Sequence, residues 1–358
     1  MTPFTQQVYV DPLLNIVAYV FQIVVAILAY VFNCILILIV IRSRNKEIGR
    51  YSILIVFFAL SDIYYNTVHF VVFPVIEYFH YRNGNHTQVP ESYGNAFLIR
   101  GHGLYPDRLG IGLYAGSYGH TFPILIYHFL YRLIVIKYPQ HLQYFKMFLL
   151  AMFSATAISH VYWFSIFYVL FHPDQEVLDA LTPVFNGTIT LPVNHTMDTA
   201  EKYSQALYWR GETFESPRWR NLIGAAMISY SLVSAYGTIC YSILRIRKHL
   251  KVYVKSAKTV RLHRELLRCL VYQSFLPVLT SYFPAAAAVL FPVLGVSISA
   301  ISIISPPICA VHPLFDPILL IFTITEYRRA FFALVSVREI TLLTKHRNVS
   351  VSPAVSIG

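Results

Sequence analysis

Charge is what this chain most lacks. Lys, Arg, Asp and Glu make up 13% of its 358 residues, where a soluble domain carries about 25%. So few charges cannot cover the surface of this much polypeptide in water. Two or three soluble domains, which length alone allows, are therefore excluded. Cysteine is scarce as well. Cys34, Cys240, Cys269 and Cys309 all fall within or at the edge of apolar runs and none lies in a long polar loop. No disulfide between such loops is available, and the four read as small buried residues. Neither a CxxC pair nor a zinc-type spacing occurs. The GxSxG, HExxH and P-loop signatures are missing too, and the 14 histidines are scattered. The pattern supports no enzyme, no metal centre and no cofactor site.

What is abundant is apolar sequence: 56% hydrophobic residues and a mean hydropathy of +0.55. A helix crossing a bilayer needs about 20 mostly apolar residues. Seven segments qualify, at roughly 12–41, 51–79, 109–138, 147–171, 221–245, 269–294 and 296–325. The first has no basic stretch before it and is longer than the apolar region of a signal peptide, so it reads as a retained span. The last two are separated by little more than Gly295, which predicts a tight hairpin. No internal repeat is visible, which argues against a repeat-built transporter.

The net charge of +11 would by itself suit a nucleic-acid binder, but its distribution matters more. Lys and Arg concentrate in cytoplasmic connections. With the N-terminus outside, 20 of the 28 lie on the inner side and 7 on the outer, with Arg132 left inside a span. The sequons at Asn85, Asn186 and Asn194 then fall in outer loops, as glycosylation requires, and the one at Asn348 falls in the inner tail. The expected fold is an all-α membrane protein: a seven-transmembrane bundle, N-terminus outside, C-terminus cytoplasmic. A receptor domain would cover residues 1–335 and a flexible tail 336–358.

Ionisable residues inside spans are costly and face the bundle interior or water. Asp62 lies mid-span in FFALSDIYYN and must be protonated, paired or hydrated. It belongs either to a polar network that rearranges on activation or to a static contact that fixes packing. Asp316 in PLFDPIL sits beside Pro317, with Pro313 one turn earlier. Each proline removes a backbone donor, which makes a hinge or a fixed kink. Arg132, in YHFLYRLIVIKYP, either snorkels to the inner interface or faces inward as a latch on a neighbouring helix end. His128 reads as a packed, hydrogen-bonded residue, and Gly110, Gly112, Gly116 and Gly119 as sites of close helix approach.

The third inner connection, IRKHLKVYVKSAKTVRLHRELLRC, is basic with interspersed apolar residues. It sets topology and offers a docking surface for anionic lipid and a protein partner. After the seventh span, Tyr327, Phe331 and Leu334 share one helical face, with Arg328 and Arg329 beside it. This predicts a short interfacial helix at about 326–335.

Three stretches resemble the nematode seven-transmembrane chemoreceptors of the Str superfamily, which are G-protein-coupled receptors: GRYSILIVFFALSD at 49–62, HFLYRL at 128–133 and PLFDPILLIFTITEYRRAFF at 313–332. The likeness extends over about residues 12–335. Leu133 departs from the aromatic residue frequent after Tyr-Arg in that family. The disulfide and the Asp-Arg-Tyr and Asn-Pro-x-x-Tyr motifs common in rhodopsin-like receptors are absent. By placement, Tyr131-Arg132 and Asp316-Pro317 are their counterparts.

The resemblance implies a chemosensory receptor in the plasma membrane of sensory neurons, in cilia. A small odorant or soluble cue would bind an outer cavity and a heterotrimeric G protein would engage the inner face. Asp62, Tyr131, Arg132, Asp316 and Pro317 are then the expected activation switch. Tyr114, Ser117, Tyr118, His120, Tyr282, Ser299 and Ser302 are candidate ligand contacts. Arg132, Lys255, Lys258, Arg261, Arg264, Arg328 and Arg329 are the candidate G-protein face. The expected partners are the chemical ligand, the G protein and membrane lipid, with no nucleic acid. Two other readings remain open: a transporter or channel subunit, for which Asp62, His69 and Glu77 would begin a polar path, and a receptor for a peptide or internal signal.

Overall fold

An apolar run too long for a soluble helix satisfies its backbone internally as a helix and turns its side chains to lipid or to other helices. The computed structural model of the chain describes residues 12–42, 49–83, 92–101, 107–172, 203–210, 216–253, 257–294, 299–334 and 336. Seven helices in it are long and apolar enough to cross a membrane: Ile16–Arg42, Tyr51–Val72, Arg108–Lys137, Pro139–Leu170, Trp219–His249, His263–Leu294 and Ile304–Thr323, here spans one to seven. Large apolar side chains such as Ile27, Ile158, Val161, Tyr230 and Val233 are exposed. In water so much exposed apolar surface would aggregate, whereas against hydrocarbon it costs nothing. The third span is the most buried and the fourth the least, so span three is the central post of the bundle.

The second helix stops at Val72, short of the run that reaches 79 in sequence. Proline disfavours helical backbone in the residue before it. Phe73, which precedes Pro74, has φ 48 and closes the helix with its N–H on the His69 carbonyl. The apolar run then continues as strand β1 (Pro74–Asn83), which pairs antiparallel with β2 (Ser92–Gly101), and β2 pairs with β3 (Tyr203–Leu207). This small sheet lies against the first turns of spans three and seven and defines the sheet end of the bundle. The opposite end is the far end.

Asp107 opens span three, its side chain accepting the Gly110 N–H at 2.8 Å, a capping interaction on an otherwise unpaired donor. Gly116 and Gly119 allow span four to approach. A Cβ at Gly119 would lie 2.1 Å from the Trp163 ring, and one at Gly116 2.7 Å from the His160 ring. Their role is therefore close packing.

Prolines shape the other two inner helices. Span six has a π-helical turn at Val278–Tyr282, immediately after Pro277. Span seven breaks between Cys309 and His312. In a regular helix the carbonyls of residues 309 and 313 would receive the N–H groups of residues 313 and 317, but both are proline and have none. Each orphaned carbonyl finds a side chain from another span. Asn33 Nδ2 donates to the Pro313 carbonyl at 2.8 Å, and the Tyr65 hydroxyl lies 3.4 Å from the Cys309 carbonyl. Spans one and two thus take over the bonds that span seven cannot make itself.

Beyond span seven a further helix covers 325–334. Tyr327 is fully buried in the far-end core, and Phe331 and Leu334 pack against that core, while Arg328 and Arg329 are exposed. The hairpin turn expected at Gly295, the sequons at Asn85, Asn186 and Asn194, and the tail beyond residue 336 lie outside the described residues. All four cysteines are free.

Candidate ligand cleft and switch

At the sheet end a cleft opens between spans three to seven, with Pro74 of β1 at its edge. Its walls are aromatic and small: Tyr114, Ala115 and Tyr118 from span three, Trp163 and Phe167 from span four, Ile228 and Leu232 from span five, Tyr282, Ala285 and Ala288 from span six, and Ser305, Pro306 and Cys309 from span seven. No charged residue is among these lining residues. Its composition, aromatic and apolar with few polar groups, is that of a small-molecule site. Rings pack edge-on around it, Tyr118 on Tyr282 at 5.4 Å and 90° and Tyr118 on Trp163 at 5.5 Å. Tyr282 is fixed by a hydroxyl contact with Thr121 at 3.1 Å. The Tyr118 hydroxyl and the Trp163 indole nitrogen are buried without a hydrogen-bond partner among the described residues, Ser281 of span six approaching the Tyr118 hydroxyl without meeting hydrogen-bond geometry. These two polar atoms can orient a ligand.

Three of the expected ligand contacts, Tyr114, Tyr118 and Tyr282, line the cleft. Ser117 does not: it is buried and its hydroxyl donates back to the Tyr114 carbonyl at 2.7 Å. His120 is turned toward span two, where its Nε2 meets the Ser61 hydroxyl. Both make these hydrogen bonds inside the bundle and do not line the cleft. The side chains of Ser299 and Ser302 lie outside the described residues, while Ser305 and Cys309, one and two turns further along span seven, stand in the wall instead.

Beneath the cleft, Tyr65 couples its wall to the core. Its hydroxyl is 3.4 Å from that of Tyr114, and its ring meets His312 edge-on at 5.2 Å. His312 in turn stands between two acids. Its Nε2 is 3.7 Å from Asp316 Oδ2 and 4.0 Å from Asp62 Oδ1. Both acids are 1% exposed, and none of their four carboxylate oxygens has a hydrogen-bond partner among the described residues. Gln273 of span six approaches Asp316 without meeting hydrogen-bond geometry. Spans two, six and seven therefore converge on one polar knot. Its histidine is invisible as such in sequence, where a lone imidazole on an apolar helix looks like packing.

At the far end Arg132 is 4% exposed. It does not snorkel, and no acid forms an ion pair with it among the described residues. Its guanidinium carbon lies 3.6 Å over the Tyr51 ring, and Tyr51 stacks on Tyr131 at 5.5 Å and 21°. The Tyr51 hydroxyl bonds His128 Nδ1 at 3.0 Å, so His128 is indeed a hydrogen-bonded packing residue. The Arg132 charge also acts on His263 and Cys269 of span six and on Tyr327. A latch that sequence does not reveal closes nearby. Glu265 of span six accepts from Thr325, from its hydroxyl at 3.1 Å and its N–H at 3.5 Å, and so caps the helix at 325–334.

Of the other basic candidates, Arg264, Arg328 and Arg329 are exposed at this end. Lys258 and Arg261 are on the helix Ala257–Pro277, with side chains outside the described residues, as is all of Lys255. The polar path that a transporter would need is not continued by His69, whose Nε2 is held by Gln22 Oε1 at 3.0 Å.

The family model described as "Serpentine type 7TM GPCR chemoreceptor Str" matches residues 18–332. The chain belongs to the Str family. Among curated relatives, "Serpentine receptor class r-10" of Caenorhabditis elegans is 24% identical over 299 residues, 82% of this chain and 83% of that one. Its counterpart of the same name in Caenorhabditis briggsae is 24% identical over 327 residues, 88% and 90% of the two chains. "Serpentine receptor class J-38" of C. elegans is 26% identical over 283 residues, 76% and 78%. The Str family is a receptor family of seven-helix membrane proteins, and this chain is accordingly a multi-pass membrane protein of the G-protein-coupled receptor type.

Proposed function

We propose that the chain is a chemosensory receptor that binds a small, weakly polar organic molecule in the sheet-end cleft and activates a heterotrimeric G protein at the far end. The observation that carries this reading is the cleft, walled by aromatic and small residues from five spans, with no charged lining residue. Such a site favours an uncharged ligand, since a buried unpaired charge is strongly disfavoured. The Tyr118 hydroxyl and Trp163 indole select a ligand with one or two polar atoms.

The sheet end faces outward in this reading and the far end faces the cytoplasm, as the excess of Lys and Arg there requires. The receptor resides in the plasma membrane, in sensory neurons and their cilia. Ligand shifts the population between two packings of the bundle. The wall residue Tyr114 passes the change to Tyr65 and so to the Asp62–His312–Asp316 knot. At the far end Arg132, Tyr131 and Tyr51 form the inactive-state contact, and Glu265–Thr325 holds span six against the last helix. Release of span six opens a surface bordered by Lys255, Lys258, Arg261, Arg264, Arg328 and Arg329. The same cations meet anionic lipid headgroups. Asn85, Asn186 and Asn194 carry glycans in the outer loops.

A ligand screen in reporter cells tests the reading, with G-protein dissociation and membrane current recorded side by side. Ligand-evoked G-protein dissociation is expected. Current or solute flux evoked without any G protein would replace the receptor by a channel or transporter.

A further inference from the structure

We propose that Asp62, His312 and Asp316 form a binding site for a divalent first-row transition ion, with zinc(II) the best fit. One donor atom from each residue lies within 4.8 Å of the other two, and all three residues are buried. His312 and Asp316 are four residues apart, a spacing that puts two ligands on one face of a helix. Asp62 completes the set from span two.

The second observation is independent of this proximity. The oxygens of both acids are buried and without hydrogen-bond partners among the described residues, Gln273 approaching Asp316 without meeting hydrogen-bond geometry, on side chains 1% exposed. A buried acid of this kind is protonated, paired or bound to a metal. Neither Lys nor Arg reaches the cluster among the described residues, and the imidazole stands at 3.7 and 4.0 Å, too far for a hydrogen bond to either acid.

The donor set discriminates among cations. Sodium, magnesium and calcium prefer all-oxygen shells. A nitrogen donor between two carboxylates suits zinc, whose bonds to imidazole nitrogen and carboxylate oxygen run about 2.0–2.2 Å. Donors around a tetrahedral ion of that size lie roughly 3.3 Å apart. The donors must close from 3.7 and 4.0 Å at His312 and from at most 4.8 Å between the two acids, a contraction of about 1.5 Å or less. His312 Nδ1 has no hydrogen-bond partner among the described residues. A ligating imidazole without an outer partner weakens a site by about 10–100-fold, so exchangeable rather than permanent zinc is expected. The ion would tie span two to span seven directly below the cleft, because the His312 ring touches Tyr65 and Tyr65 reaches Tyr114. Occupancy would thus regulate how readily span seven moves.

Cobalt(II) titration of the full-length receptor in nanodiscs tests this without any signalling readout, so its result is separable from that of the ligand screen. One equivalent should give intense visible bands of a low-coordinate site, displaced by zinc(II) and not by sodium or magnesium at matched ionic strength. The bands should be lost in His312→Ala and in Asp62→Asn. Should either variant fail to fold, the wild-type bands and their displacement still decide. The absence of saturable bands, their survival in both folded variants, or their displacement by sodium would overturn the proposal.

Discussion

The guanidinium of Arg132 rests 3.6 Å over the ring of Tyr51, joining the far-end part of span three to the first residue of span two. A desolvated cation–π contact contributes about 2 kcal/mol, and here an aromatic ring at a neighbouring helix end is the arginine's partner. Tyr51 is therefore part of the switch alongside Tyr131 and Arg132.

If the ring and not the hydroxyl holds Arg132, Tyr51→Phe should retain most ligand-evoked signalling, whereas Tyr51→Leu and Arg132→Ala should both impair it at matched surface expression. Surface labelling combined with G-protein dissociation checks this. Equal signalling in Tyr51→Leu and wild type would contradict the assignment.

The proline-freed carbonyl of residue 313 makes a sharper stability prediction. Asn33→Ala leaves it buried and unpaired, a loss of about 1–3 kcal/mol, seen as a lower melting temperature in detergent. Pro317→Ala supplies the missing N–H to the same carbonyl. In the double variant the loss should be smaller than the sum of the two single effects. Strict additivity would show that the Asn33 bond does not serve this purpose.

Glu265 and Thr325 tether span six to the final helix. Glu265→Ala and Thr325→Val should each raise basal G-protein activation, read without ligand, because both remove the 3.1 Å hydroxyl bond. Unchanged basal activity in both would mean that span six is held by packing alone.

Gly119→Ala would place a methyl 2.1 Å from the Trp163 ring, which is a wall of the cleft. Overpacking of this kind costs about 1–3 kcal/mol or more. Surface expression should fall, and ligand potency in the surviving receptor should fall further than for Gly237→Ala, where a Cβ meets nothing within 4 Å. Equal potency in the two variants would detach Trp163 from the site.

The spans were legible because their signal is local: long apolar runs, and basic residues gathered in alternate connections. Asp62, Asp316 and Arg132 stood out for the same reason, as charges out of place in grease. What brings Asp62 and Asp316 onto one histidine is tertiary, and no spacing records it, so His312 passed as one more isolated imidazole. Glu265 is a single acid within a basic stretch, and its partner, the hydroxyl and N–H of Thr325, is 60 residues away, a separation that no spacing records. Strand β1 was hidden because Val75, Ile76, Tyr78 and Phe79 prolong the apolar run of span two. Only Pro74 marks the change. Ser117 and His120 were plausible ligand contacts by type and depth, but helix rotation turns them to Tyr114 and Ser61.

The central claim is that the cleft binds the activating ligand. Nucleotide exchange on a heterotrimeric G protein, driven by the receptor in nanodiscs, tests it most directly when wild type is compared with Ala285→Phe, which adds bulk to a half-buried position in the cleft wall. The account predicts saturable, ligand-dependent exchange by the wild type and its loss in Ala285→Phe, with basal exchange and folding retained. Equal ligand-driven exchange in the two proteins would contradict it.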